Sequence, residues 1–169
     1  MDNKAALVQS SPMSDARTGP LNLITDVAGI AVGQAENAAA RTGVTVILPT
    51  RRAVCACDVR GGAPGTRETD ALAPENLVDE VDAVVLSGGS VYGLAAADGV
   101  TAVLGAGGRG YRLAGASGVP VSPVVPAAIL YDLANGGDKA WGEAPPYREL
   151  GAAAARAAAD RFILGTAGA

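Results

Sequence analysis

Residues 84–94 read Val-Val-Leu-Ser-Gly-Gly-Ser-Val-Tyr-Gly-Leu. An apolar run ends in a serine, two glycines and a second serine, and an alanine-rich stretch with apolar residues near helical spacing continues to about Leu104. The continuous run predicts a buried strand over 82–87, and the spacing after it predicts a helix over 91–104. Ser90 is thus delivered from the end of a strand to the mouth of a helix. A strand feeding a helix in this way is a building step of layered α/β architectures.

The flanking segments fit that class. Thr42 to Thr50 alternates and carries β-branched residues, which predicts a strand. Ala53 to Val59 reads as a second strand, joined to the first as a hairpin through Pro49-Thr50-Arg51-Arg52. Leu21 to Gly33 has strand-like pieces broken at Gly29. Residues 60–70 form a long loop, and Ala73 to about Asp79 reads as a short helix with Pro74 in its first turn. Further on, 119–132 begins extended because of its prolines and ends as a strand. Asn135 to Lys139 makes a turn, and 145–162 is an alanine-rich helix. The last seven residues carry no further element. Residues 1–20 are polar and read as a flexible lead-in, which leaves 21–169 as the folded portion.

Composition narrows the function. Of 169 residues, 49% are hydrophobic and 18% charged, which supports a core and argues against general disorder. Aromatic residues are only 4%, so the interior must be built from small side chains and closely approaching backbones. The net charge is −4, and Arg51-Arg52 is the one adjacent basic pair, which leaves nucleic acid nothing to hold. No window suits a membrane span, and the N-terminus lacks the order of a signal peptide, so a cytoplasmic protein is expected. Cys55 and Cys57 stand one residue apart. On a strand they share a face, too close for ordinary disulfide geometry, and read as small fillers in a reducing compartment. There is no histidine. A Ser-His-Asp or Cys-His site therefore cannot be completed within the chain, and two cysteines supply at most half a zinc ligand set. No metal or organic cofactor is expected.

Ser90 fails as a nucleophile elbow, because G-x-S-x-G needs a glycine at position 92 and the chain has Tyr92, with Gly93 one step late. No lysine follows the glycines as a phosphate loop requires, and G-x-G-x-x-G is absent here. Two readings stand. Gly88, Gly89 and Ser90 form a helix mouth whose N–H groups contact a substrate carboxylate or oxyanion, or the glycines only allow close packing with Ser90 as the N-cap.

Three stretches in order carry a resemblance: D-V-R-G-G-A-P-G-T-R-E-T-D (58–70), L-S-G-G-S-V-Y-G-L-A-A-A-D-G-V (86–100), and P-V-V-P-A-A-I-L-Y-D-L (123–133) followed by G-D-K. From about Leu21 onward the chain resembles the DmpA family, which holds L-aminopeptidase/D-esterases, β-peptidyl aminopeptidases and the endo-type nylon-oligomer hydrolase. The resemblance implies a layered αββα sandwich completed by a second polypeptide piece. It also implies a precursor that cleaves itself, so that the new N-terminal Ser or Thr of that second piece attacks amide or ester bonds with its own α-amine as base. A homo-oligomer of the two-piece unit and a peptide, amide or ester substrate come with it. By the same resemblance the nucleophile lies outside this chain, which alone is expected to be inactive. Tyr131 matches the family tyrosine that helps hold the oxyanion. Two alternatives remain: a nylon-oligomer (6-aminohexanoate oligomer) hydrolase, and a non-catalytic binding or assembly subunit. Asp132 reads as a turn former or helix-dipole partner, Asp138-Lys139 as a surface pair, and Arg60, Arg67, Glu68 and Asp70 as a structural loop network.

Overall fold

A computed structural model describes residues 17–114, 117–165 and 167–169. The expected lead-in lies outside them up to residue 16. Among the described residues, Ile30–Asn37 (β1), Thr42–Pro49 (β2), Thr66–Arg67 (β3), Val84–Ser87 (β4) and Ala127–Ile129 (β5) form one mixed sheet in the order β1-β2-β4-β5-β3. β4 and β5 run parallel and the other pairs antiparallel. A 3-10 turn, Ser90–Ala95, leads into helix α1, Ala96–Ala106, and a second helix, α2, covers Tyr147–Arg156. The class is α/β, as the strand-to-helix step at 84–94 predicts.

Strand alternation decides what each face buries. Val44, Val46 and Val85 are fully buried and pack with Ala96, Val100 and Ala154 of the two helices. Leu86 points to the other face and is 39% exposed, so the strand expected to be buried throughout is buried on one face. The helices meet backbone to backbone. A Cβ at Gly99 would overlap the Arg148 carbonyl, and one at Gly151 would overlap the Ala96 carbonyl. Small residues at the crossing take the place of the missing large ones, as the composition requires.

Four sequence expectations are corrected. The partner of β2 in the hairpin is β1, with the turn over 38–41 closed by the Ala40 N–H donating to Asn37 Oδ1 at 2.9 Å. Ala53 to Val59 is no strand, because β1 and β4 already occupy both edges of β2. Only Ala53 bridges, to Val81, and Val54 is 84% exposed. Cys55 and Cys57 are therefore free thiols on an irregular segment rather than strand fillers. The helix expected over 73–79 is replaced by a 3-10 turn at Asp70–Leu72, since Ala73 precedes a proline and takes an extended ψ of 135°. Finally, α2 stops at Arg156 instead of continuing to 162. Ala159 exchanges both backbone hydrogen bonds with Val32, and this pairing to the open edge of β1 competes successfully with further helix.

No helix among the described residues is long and apolar enough to cross a membrane.

Candidate functional site

The site is built where β2, β4 and β5 converge. The Leu130 N–H donates to the Ser87 carbonyl at 3.0 Å, and the Ser90 N–H donates to the Leu130 carbonyl at 3.0 Å. The Gly88 N–H donates to the Gly43 carbonyl at 2.9 Å. The loop leaving β4 is thus zipped between the start of β2 and the continuation of β5. Sequence forces its shape at two positions. Gly89 has φ of 86°, and a Cβ there would enter the Tyr147 ring. A Cβ at Gly88 would overlap the Asp132 carboxylate and the Thr42 hydroxyl.

Asp132 is the hub. Its Oδ1 accepts from the Gly89 N–H at 2.7 Å and its Oδ2 accepts from the Thr42 hydroxyl at 2.6 Å. Both are charge-assisted hydrogen bonds, and they join residues 43 and 90 positions away in the chain. Tyr147 lies beneath them, fully buried, and among the described residues its hydroxyl has no hydrogen-bond partner. Burial pushes the Tyr147 phenol pKa up. The nearby Thr42 hydroxyl works against that shift, and the Asp132 carboxylate adds to it. Trp141 stands edge-on to both Tyr147 and Tyr92, at 5.8 Å between ring centroids in each case. These aromatics wall one side of the loop, and Tyr92 is 46% exposed.

All four residues singled out from sequence fall in this one place, because the backbone of 88–90 runs against 130–132. Tyr131 is 69% exposed and presents its side chain outward from the end of β5. Ser90 is not the N-cap. Gly89 holds that position, no side-chain cap bond forms, and Ser90 is the first residue of the 3-10 turn with φ of 52°. Gly88 and Gly89 are buried, and both serve the close packing. Asp132 is more than a turn former. Thr42 and Tyr147 were not legible as site residues, since a threonine opening a strand and a tyrosine opening a helix carry no local signal.

The neighbouring loops are structural. Arg67 pairs with Asp98 at 2.5 Å, and Glu68 Oε2 accepts from the Val125 N–H at 2.8 Å, so the 60–70 loop is stitched to α1 and to the segment before β5. Arg60 pairs with Asp58 on the surface, and Asp70 starts the 3-10 turn, its carbonyl taking the Asn76 side-chain amide. Lys139 does not pair with Asp138. It donates to the Ala40 carbonyl and to Asn135 Oδ1, clamping the β1–β2 turn. No cluster of three or more His, Cys, Asp or Glu side chains with metal-binding geometry occurs among the described residues.

Residues 22–169 match the model of peptidase family S58. The chain belongs to peptidase family S58. An aminopeptidase of Mycobacterium tuberculosis (strain ATCC 25618 / H37Rv), described as uncharacterized, is 47% identical over 156 residues, covering 88% of this chain and 43% of that protein. A second relative, an uncharacterized aminopeptidase of Mycobacterium leprae (strain TN), is 43% identical over 154 residues, covering 86% of this chain and 40% of that protein. The chain thus spans less than half the length of these curated relatives.

Proposed function

We propose that this chain is the N-terminal portion of a self-processing amide hydrolase of the DmpA type, an aminopeptidase or amidase whose nucleophile is the N-terminal Ser or Thr of a second polypeptide. Membership of peptidase family S58 over residues 22–169 carries the reading. The nucleophile's hydroxyl adds to the amide carbonyl while its own α-amine takes the proton. Tyr131 donates its phenolic hydrogen to the oxyanion that develops, an interaction stronger in the transition state than in the ground state. The tetrahedral intermediate collapses, the ammonium returns the proton to the leaving amine, and water then releases the acid from the acyl-enzyme. The exposure of Tyr131 at a braced strand end suits that role. Gly88, Gly89 and Ser90 contribute the floor beside it, and the open sheet face around Leu86 suits a second layer completing an αββα sandwich. The names of the mycobacterial relatives favour an aminopeptidase over a nylon-oligomer hydrolase.

Intact mass spectrometry with N-terminal sequencing of every polypeptide in the natively purified protein tests the proposal. A companion polypeptide beginning with Ser or Thr supports it. A single uncleaved species, or a companion beginning with another residue, overturns the N-terminal-nucleophile mechanism.

A further inference from the structure

We propose that Asp132 is a positioning residue for Tyr131: by locking its carboxylate inward onto Gly89 and Thr42, it fixes the direction in which the Tyr131 phenol leaves the end of β5. The proposal rests on the reading of Tyr131 as the oxyanion donor. With Asp132 turned inward and held by bonds of 2.7 and 2.6 Å, the residue that follows Tyr131 is fixed, and the Tyr131 side chain itself is 69% exposed. The residue before it is fixed as well, since Leu130 spends its N–H on Ser87 and its carbonyl on Ser90. Tyr131 is therefore an exposed side chain on a backbone pinned on both flanks, the pre-organisation an oxyanion donor needs. Asp132 does not act on substrate itself. Both its oxygens are occupied from inside, by a backbone N–H and by the hydroxyl of the buried Thr42.

The carboxylate acts through geometry, so an isosteric amide should serve. In Asp132→Asn, the amide oxygen accepts from Gly89 and the Thr42 hydroxyl reverses to accept from the amide nitrogen. Asp132→Ala loses both bonds, and Thr42→Val loses one.

A double-mutant cycle in the catalytically competent protein, this chain together with the polypeptide carrying the nucleophile, tests the idea. The readouts are kcat and KM on a panel of amino-acyl p-nitroanilides, with circular dichroism confirming the fold. Tyr131→Phe is expected to lower kcat by about 100-fold, as removal of one oxyanion donor does. Asp132→Ala should lower kcat at least tenfold with KM little changed, and Asp132→Asn should restore most of it. The Asp132→Ala/Tyr131→Phe double variant should be no slower than Tyr131→Phe alone, because Asp132 works through the phenol. If Tyr131→Phe keeps full kcat, the oxyanion reading itself falls. If it is slow but the two losses multiply, or Asp132→Ala matches the parent, Tyr131 keeps its role and the positioning proposal is overturned. Should Asp132→Ala not fold, the same cycle with Thr42→Val decides, since multiplied losses there overturn the proposal equally.

Discussion

Asp82 is fully buried at the foot of β4, and its removal should be among the most damaging single changes in the chain. Its Oδ2 accepts from the Val124 N–H at 2.9 Å, while Oδ1 faces Arg52 Nε at 3.5 Å and Arg109 Nε at 3.4 Å. Both arginines also donate to carbonyls alongside, Arg52 to Glu80 and Arg109 to Asp82 itself, each at 2.7 Å. Asp82→Ala strands the buried Val124 N–H, a cost of about 1–3 kcal/mol. It also uncouples two guanidinium groups. Breaking a buried pair costs about 3–5 kcal/mol, but these arginines are 23% and 22% exposed, and water takes up part of that loss. The expected total is about 3–4 kcal/mol, or a fall of about 10 °C in Tm for a domain of this size. Asp82→Asn retains an acceptor for Val124 and should cost about 1–2 kcal/mol. Urea unfolding followed by circular dichroism measures both. An Asp82→Ala loss below about 1 kcal/mol, or an Asn variant as unstable as the Ala variant, would refute the argument that the carboxylate holds this corner by accepting from Val124 while balancing two arginines.

Other perturbations follow from single contacts. Gly99→Ala and Gly151→Ala would each stabilise an isolated helix by about 1 kcal/mol, yet here each added methyl meets a backbone carbonyl of the facing helix. Both should destabilise by about 1–3 kcal/mol in thermal melts, and a net gain would show that the helices separate freely. Ser90→Gly should leave stability unchanged or raise it by about 1 kcal/mol, because the left-handed φ of 52° strains any residue with a Cβ. A loss in chemical denaturation would mean that the Ser90 side chain contributes contacts that outweigh the strain. The raised Tyr147 pKa favours the protonated phenol in the folded state, so its share of stability is complete below the ordinary tyrosine value of about 10 and is lost as pH climbs through the higher folded value. The partly buried Cys55 thiol, raised by burial and by Cys57, adds a loss of the same sign. Tyr147→Phe should flatten the alkaline part of the stability profile and cost little at neutral pH, since the hydroxyl it removes is buried and has no hydrogen-bond partner among the described residues. An unchanged alkaline profile would count against a buried phenol.

Local pattern was enough wherever one stretch of chain contained its own reason. The alternation of 42–50, the apolar run ending at Ser87, the helical spacing after Tyr92 and the alanines after Tyr147 each state a period, and periods survive without knowledge of neighbours. The strand-to-helix step singled out the Gly88-Gly89-Ser90 loop, and Tyr131 was singled out by the resemblance to the DmpA family. What sequence could not state was which element takes which partner. Ala53 to Val59 has strand character but no free edge on β2, because β1, earlier in the chain, and β4 already pair with it. The alanines after Arg156 favour helix, but Val32 offers hydrogen bonds that end it. Asp132 looks like a turn residue until a threonine 90 positions earlier is brought to its carboxylate. Gly99 and Gly151 look like weak points in two helices until the helices cross at them. Each of these outcomes depends on pairing between distant segments. Hydrogen-bond donors, sheet edges and packing space are shared across the whole molecule, so their allocation is decided only when the chain closes on itself.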